Sequence, residues 1–261
     1  MPVAKLFISS LKKIKGKKIT PSKVYSLNTN DVLIYSIHLP DFINLKDDLA
    51  QFLNYTEQHR AERFYKEIDG TRFIIYRSIL KFVLAAYTKL EVKSINFDYD
   101  SNKKPYLASH PWLHFNISHS EDFAIIAISR NKVGIDVEFM SEEFSFNDIL
   151  PDVFADNEIS EIQNAVNKKH AFYTSWTRKE AFVKALGKGI DEDFKHIPSL
   201  DGQHTINFSL LKTTKNWQLH SFDLANHYIG AVAFERFTTF SENIVMFTIP
   251  NTMKELLRMV K

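Results

Sequence analysis

Apolar residues follow two different patterns along this 261-residue chain. Apolar residues spaced three and four apart are typical of helices, whereas short bounded apolar runs are typical of strands. In the first half we expect helices over 45–53, 57–65 and 69–90. Strands are expected over 32–37, 95–99, 105–107, 113–117, 123–128 and 133–139, separated by polar turn residues.

The second half repeats this order after a polar, acidic connection over 141–148. Helices are expected over 156–166 and 168–186, strands over 206–210, 217–222, 228–234 and 244–248, and a closing helix over 253–260. Each half thus runs from helices to antiparallel strands, which predicts two similar α+β units. We place them at 31–133 and 134–261. Residues 1–30 precede them as an N-terminal extension, whose basic stretch Met1 to Lys18 we interpret as a loose arm.

Composition narrows the class of protein. Hydrophobic residues make up 44% of the chain, including 22 Phe and 10 Tyr, which predicts a globular core. A net charge of only +2 indicates neither a nucleic-acid nor a membrane partner. Without cysteine, any metal must be held by oxygen or imidazole ligands. No apolar run approaches the roughly 18 residues of a membrane-spanning helix, so we expect a soluble, cytoplasmic protein.

Two carboxylates stand on one predicted strand. In Gly134-Ile135-Asp136-Val137-Glu138, side chains two residues apart share a face, so Asp136 and Glu138 point one way while Ile135 and Val137 point into the core. That face can hold a cation. Taken alone, the pentapeptide is more typical of an ordinary half-exposed strand with acidic outer residues.

The predicted helix over 168–186 offers a partner for these carboxylates. Trp176, Glu180 and Lys184 lie at i, i+4 and i+8 and form one ridge. A surface ion pair between Glu180 and Lys184 is the alternative. Directly after the helix, two of the chain's seven glycines flank Lys188, and such a bend beside a cation suits an anionic ligand.

A third polar cluster is Asn116-Ile117-Ser118-His119-Ser120, which we place on an exposed turn between two strands. Ordinary turn chemistry would also explain it. Arg60, Arg72 and Lys104 add scattered cations upstream, each of which could be a solvated surface charge.

Together and in this order, these segments resemble the surfactin-synthetase-associated (Sfp-type) phosphopantetheinyl transferases. The matching pieces are Arg63-Phe64-Tyr65 with Arg72, Lys104-Pro105, Phe115 to Ser120, Gly134 to Glu138, and Trp176-Thr177-Arg178-Lys179-Glu180-Ala181-Phe182-Val183-Lys184 through Gly189. Any one of them is weak evidence. Five in sequence, with the separations typical of the family, are specific.

The resemblance implies an α+β pseudodimer with coenzyme A and one Mg2+ in the cleft between its halves. It implies transfer of the 4'-phosphopantetheine group of coenzyme A to a serine of an acyl, peptidyl or polyketide carrier protein, releasing adenosine 3',5'-bisphosphate. By the match, Asp136, Glu138 and Glu180 are the metal ligands. Glu180 would deprotonate the serine, directly or through a water on the metal, and Lys184 would stabilise the departing phosphate.

For coenzyme A, the resemblance implies contacts from Ser118 and His119 to the nucleotide, phosphate clamps at Arg60, Arg72 and Lys104, and a share for Asp136 and Lys184. Glu57 stands where family members often carry a lysine near the 3'-phosphate, so that clamp is expected to be weaker or rebuilt with Arg60 or His59. The long two-half form is expected to act as a monomer.

Two other functions fit parts of the pattern. A different Mg-dependent phosphoryl-transfer enzyme could use the same carboxylates, but it would need a second metal or a positioned water base. A non-catalytic binder of coenzyme A or carrier proteins could keep the fold, but it has no need of Asp136, Glu138, Glu180 and Lys184 together. Dependence of product formation on magnesium would separate these possibilities.

Overall fold

Two five-stranded sheets lie face to face in the computed structural model, and a long helix covers the outer side of each sheet. The structure describes residues 3–11, 14, 16–18, 25–190, 193–207, 215–236 and 243–261. The mixture of helices with mainly antiparallel sheets confirms the predicted α+β class of two similar halves.

The first sheet has the order β2-β12-β3-β7-β6. These strands are β2 (Gly16–Lys18), β3 (Asp31–His38), β6 (His114–Ser120), β7 (Phe123–Ser129) and β12 (Asn243–Thr248). Its helices are α1 (Lys46–Ala50), α2 (Tyr55–Glu62) and α3 (Glu67–Thr88), and a small ladder joins β4 (Asp98–Tyr99) to β5 (Pro105–Tyr106). The closing helix α7 (Met253–Met259) packs against this half, because Leu256 and Met259 belong to its core.

The second sheet has the order β8-β11-β10-β1-β9. Its strands are β1 (Val3–Ser10), β8 (Val133–Phe139), β9 (Gly202–Asn207), β10 (Trp217–Ala225) and β11 (Tyr228–Glu235). The helices are α4 (Leu150–Val153), α5 (Asp156–Asn164) and α6 (Lys168–Leu186). Asn167 caps the start of α6 by accepting from the His170 N–H, and Gly187 ends it in the left-handed region at φ 73°.

Apolar side chains form three successive layers of core. The first lies between α3 and the outer face of the first sheet, where residues such as Phe82 and Ile126 meet. The second fills the space between the two sheets and includes Ile135 and Val137 of β8, as the alternation predicts. The third lies between the second sheet and α6, where Phe182 packs edge-on against Trp217. The fold is therefore a stack of helix, sheet, sheet and helix.

Each end of the chain crosses to the opposite half. Strand β1 pairs in parallel with β10 and antiparallel with β9 in the second sheet. Strand β12 pairs in parallel with β3 in the first sheet. The prediction of a loose basic arm is therefore wrong for Val3–Ser10, whose alternate residues Ala4, Leu6 and Ile8 are buried. The division into halves at residue 133 stays a prediction.

Most predicted elements form close to their predicted bounds, and α6 forms over the same residues, 168–186. Three predictions need correction. The helix predicted over 45–53 is limited to α1, with a 3-10 turn at Leu39–Leu45 before it. The strand predicted over 95–99 is reduced to Asp98–Tyr99. The strand predicted over 206–210 begins at Gly202, and its residues 208–210 lie outside the described part of the chain.

The described residues contain no helix that is both long enough and apolar enough to cross a membrane.

A half-buried histidine beside β1 predicts a pH dependence of stability. The Nδ1 of His220 on β10 accepts from the Ser9 hydroxyl of β1 at 2.8 Å, and burial, reinforced by Arg178, lowers its pKa to about 4. In the unfolded chain the pKa is the ordinary 6.5, so below that pH the unfolded state binds the extra proton. We expect the free energy of unfolding to decrease as pH falls from about 6.5 to about 4. Denaturant titrations across that range should show the decrease in the wild type and a flatter profile in His220→Gln; an identical profile in both would contradict this assignment.

Candidate active site

The two sheets meet along a seam between β6 and β8, which lie side by side but belong to different sheets. No backbone ladder joins these two strands, and side chains of β6 bond to the backbone of β8 instead. The amide oxygen of Asn116 accepts from the Ile135 N–H at 2.9 Å. The hydroxyl of Ser120 accepts from the Phe139 N–H at 3.1 Å. Two backbone N–H groups of β8 are thus satisfied along the seam by polar side chains of β6, which helps the two sheets to join there.

The same seam holds the two strand carboxylates. Ser118 donates its hydroxyl to Asp136 Oδ1 at 2.8 Å, and Ser120 donates to Glu138 Oε2 at 3.1 Å. Asp136 is only 2% exposed. The segment 116–120 is consequently not the exposed turn that the sequence suggested, but a strand in which Asn116 and Ser118 are buried. Neighbouring strands thus bring the serine cluster and the acidic strand into contact.

Helix α6 reaches this seam because Gly134 has no side chain. A Cβ atom at this position would overlap the Ala181 carbonyl oxygen and the Ala185 backbone nitrogen, and would stand 2.8 Å from the Ala185 Cα. The helix can therefore lie directly on β8, with small residues on the contacting face. This close approach brings Glu180 and Lys184 to the same side of β8 as Asp136.

Lys184 is the cation that faces the buried carboxylate. Its ammonium lies 2.6 Å from Asp136 Oδ1 and donates to the Ser118 hydroxyl at 3.1 Å. The other oxygen, Asp136 Oδ2, is buried and has no hydrogen-bond partner among the described residues. Such an orphaned carboxylate oxygen is costly unless a cation or a donor reaches it.

Mutual repulsion and burial shift the protonation equilibria at this seam. Burial, with the charge of Asp136 added, raises the pKa of Glu138 to about 7. Burial also raises the pKa of Glu180, again with a contribution from Asp136. Burial alone would lower the pKa of Lys184, but the three neighbouring carboxylates outweigh it and raise that pKa. The site thus concentrates negative charge and keeps one lysine cationic.

Cations gather on the α3 side of the seam, around His119. The imidazole stacks on Tyr76 of α3, with ring centroids 4.5 Å apart. Burial lowers the pKa of His119, and the positive charges of Lys184 and Arg72 lower it further. Arg60 places its guanidinium 5.0 Å from the centre of the Phe73 ring. Arg72 is held by Asp69, Glu121 and Asp122, with its closest contact 2.9 Å from Glu121.

Lys104 also lies at this seam, but its ammonium is bonded to backbone carbonyl groups. Its ammonium donates to the carbonyls of Val133 at 3.1 Å and Lys184 at 2.6 Å, joining the start of β8 to the end of α6. Burial lowers its pKa to about 8. The contacts hold the helix end in place, and a role for Lys104 as a phosphate clamp stays a prediction.

An apolar cavity of about 210 Å³ adjoins Glu138 on the other side of the seam. Its lining side chains are Glu138, Phe144, Ile149, Phe172, Tyr173 and Trp176. Trp176 is the first member of the predicted ridge, so the ridge borders this cavity as well as the carboxylates. The site is thus cationic on its α3 side and apolar beside α6, with carboxylates between.

Comparisons with known proteins place this sequence in a family. Residues 46–131 match the family model described as 4'-phosphopantetheinyl transferase, N-terminal, and residues 132–233 match that of the 4'-phosphopantetheinyl transferase superfamily. The 4'-phosphopantetheinyl transferase HetI of Nostoc sp. (strain PCC 7120) is 32% identical over 171 residues, which are 63% of this chain and 72% of HetI. The chain belongs to the 4'-phosphopantetheinyl transferase superfamily.

Further relatives carry the same family name. The 4'-phosphopantetheinyl transferase psf-1 of Bacillus pumilus is 29% identical over 220 residues, covering 80% of this chain and 90% of psf-1. The 4'-phosphopantetheinyl transferase Sfp of Bacillus subtilis (strain 168) is 27% identical over 180 residues, covering 66% and 80%. The predicted resemblance to Sfp-type transferases is confirmed.

Glu57, which the sequence placed near the 3'-phosphate of coenzyme A, lies elsewhere in the structure. Glu57 does not face the phosphate clamps, because it is buried inside the first half and pairs with Arg77 at 2.7 Å and Lys81 at 2.6 Å. Nor did the motifs single out Asn116 and Ser120 as residues that join the sheets. Their alternation with Phe115 and Ile117 was the available signal, since alternation is typical of a strand.

The predicted metal ligands are only partly assembled. Among the described residues, no group of three His, Asp or Glu side chains could hold a metal ion as arranged. Lys184 occupies one oxygen of Asp136, which accounts for part of this. The free Asp136 Oδ2 and the nearby Glu138 nevertheless fit the all-oxygen donor set that Mg2+ prefers. The set of Asp136, Glu138 and Glu180 stays a prediction.

The close approach at Gly134 predicts a large effect of a single methyl group. Gly134→Ala should destabilise the protein by about 3 kcal/mol, because the new Cβ must push α6 away from β8. Gly189→Ala is the matched control, since a Cβ there meets nothing within 4 Å and should change stability by less than about 0.5 kcal/mol. Chemical denaturation measures both. Equal effects of the two substitutions would mean that the helix is not held at contact distance.

Proposed function

We propose that this protein transfers the 4'-phosphopantetheine group of coenzyme A to a serine hydroxyl of an apo acyl, peptidyl or polyketide carrier protein. The observation that carries the proposal is the meeting of Asp136 and Glu138 of β8 with Glu180 and Lys184 of α6 at the seam. Its support is membership of a family whose relatives are named for this transfer. The products are the phosphopantetheinylated carrier and adenosine 3',5'-bisphosphate.

The cationic side of the site suits the nucleotide end of coenzyme A. His119, Arg60 and Arg72 lie together there, and guanidinium groups match phosphate oxygens in geometry and charge. Arg72 is now neutralised by acidic neighbours that are largely solvent-exposed, and such pairs are weak enough to exchange for a phosphate. The apolar cavity beside Glu138 lies on the other side of the carboxylates, where we place the pantetheine arm or the carrier residues next to the serine.

Asp136, Glu138 and Glu180 would hold one Mg2+, and Asp136 Oδ2 is the oxygen best placed to receive it. When bound, the ion neutralises the diphosphate of coenzyme A and draws negative charge from its oxygens. Lys184 contacts only one of the three carboxylates, and a divalent cation would offset the remaining repulsion between them.

Glu180 is the candidate general base. Burial raises its pKa toward the operating pH, which favours a carboxylate that must accept a proton in the reaction. The serine hydroxyl gives its proton to Glu180 as its oxygen forms a bond to the phosphorus that bears the pantetheine arm. The bond from that phosphorus to the bridging oxygen breaks, and adenosine 3',5'-bisphosphate leaves with that oxygen. Lys184 stays cationic and stabilises the charge on the departing phosphate.

The same site could serve a non-catalytic binder of coenzyme A or another Mg-dependent phosphoryl-transfer reaction. No observation favours either, and the comparisons favour the transferase. We further propose that the protein acts as a monomer in the cytoplasm, with coenzyme A and a carrier protein as its partners and with neither nucleic acid nor membrane.

Transfer can be tested by the intact mass of an apo carrier protein after incubation with this protein, coenzyme A and Mg2+. We expect a gain of one phosphopantetheine group. The gain should be lost with EDTA, and Glu180→Ala should lower its rate by about 10²-fold or more because the base is removed. Coenzyme A binding without any gain on several carrier types would instead identify a binder.

Metal binding can be measured separately from activity. Because Asp136 Oδ2 has no hydrogen-bond partner in the part of the chain that the structure describes, Mg2+ should raise the melting temperature of the wild type by mass action. Asp136→Asn should abolish this increase, since an amide is a poorer ligand for Mg2+ than a carboxylate. Asp201→Asn is a suitable control, because that carboxylate pairs with Arg178. An Mg2+ response that persists unchanged in Asp136→Asn would show that the ion binds elsewhere.

A further inference from the structure

A second buried charge pair lies directly behind the reactive face of α6. The ammonium of Lys179, a fully buried side chain, lies 2.9 Å from Glu158 Oε2. It also donates to the carbonyls of Lys195 at 3.1 Å and Ile197 at 2.6 Å. One lysine therefore ties α6 to α5 and to the segment that follows α6.

The carboxylate of this pair is fully engaged. Glu158 Oε1 accepts from both the N–H and the hydroxyl of Ser199, at 2.7 Å and 2.6 Å. Its Oε2 accepts from the Ala155 N–H at the start of α5. On the neighbouring position of α6, Arg178 donates to the Ser199 carbonyl at 2.6 Å and to the Ser10 hydroxyl of β1 at 2.9 Å. The successive residues Arg178 and Lys179 of α6 thus both bind the segment around Ser199 through charged hydrogen bonds.

The first half contains an equivalent buried lysine–glutamate pair. Glu57 accepts from the Asn54 N–H at the start of α2, as Glu158 does at the start of α5, and pairs with the fully buried Lys81 of α3. Lys81 also donates to a backbone carbonyl, that of Phe52 at 3.1 Å. Each half therefore anchors its long helix through a buried lysine and a glutamate in the first turn of a short helix.

The two anchors differ in their distance from the site. Lys179 immediately precedes Glu180, so any rotation of α6 about its axis moves the base directly. Lys81 lies about 13 Å along α3 from Arg72, the nearest predicted clamp on that helix. A buried ion pair is weak evidence for stability, because apolar replacements are often as stable, but it holds its partners in one geometry.

We infer that Lys179, through Glu158, is a positioning residue for the transfer reaction, which sets the rotation of α6 and thereby the placement of Glu180 and Lys184 against Asp136. The inference rests on the proposed function, since Glu180 must be the base for the placement to matter. Misplacement of a catalytic group by about 1 Å can cost about 10²-fold in rate.

The test compares Lys179→Met with the matched variant Lys81→Met. Either substitution leaves a buried glutamate that keeps other donors, Ser199 and Ala155 in one case, Arg77 and Asn54 in the other. We expect both to lower the melting temperature. In carrier modification assays, per mole of folded protein, Lys179→Met should lower kcat by about 10²-fold with KM for coenzyme A within about twofold. Lys81→Met should leave kcat within about twofold of wild type.

A milder variant covers the case in which Lys179→Met does not fold. Ser199→Ala removes one hydrogen bond to Glu158 and should lower kcat in the same direction with KM kept. Equal decreases of kcat in the Lys179 and Lys81 variants, or an unchanged kcat in Ser199→Ala and Lys179→Met, would overturn the inference. An inactive wild type would instead overturn the proposed function, so the two failures can be told apart.

Discussion

The contact of α6 with β8 at Gly134 is the constraint on which the site depends. Because the helix backbone touches the strand backbone, residues of the two elements face each other across one short gap. Asp136 and Lys184 then meet at 2.6 Å, although they lie far apart in sequence. A side chain at residue 134 would widen this gap for every residue along the helix. Asp136 and Lys184 are therefore positioned by the absence of a side chain at residue 134 as much as by the contacts around them.

The seam between the sheets is the second feature that positions Asp136. Ordinary sheet edges expose unpaired backbone groups, and here Asn116 and Ser120 satisfy some of those of β8 with side chains. The same strand then has Ser118 free to hold Asp136. A polar residue at every second position of β6 thus joins the halves and lines the site at once. This dual use explains why Asp136 and its polar partners lie at the junction of the two sheets.

Local patterns predicted the elements whose boundaries are encoded locally. Helix α6 formed as predicted because Asn167 and Gly187 mark its ends, and β8 formed because Ile135 and Val137 alternate with acids. Strand β1 was misread because its partner β10 lies about 210 residues away, and no local signal indicates such a pairing. The buried lysines 81 and 179 were invisible for a similar reason, since a charged side chain reads as surface until its partner is known. The short motifs identified the family only when they were taken together and in order.

The crossing of the chain ends bears on how this protein can be made. Strand β1 is synthesised about 210 residues before its partner β10, and β3 is synthesised a similar distance before its partner β12. Neither sheet can be completed until its late strand, β10 or β12, has been synthesised, and loop closure over such separations is slow. Early strands with open edges must wait exposed during translation. This topology therefore favours late completion of both sheets together, rather than independent folding of one half after the other.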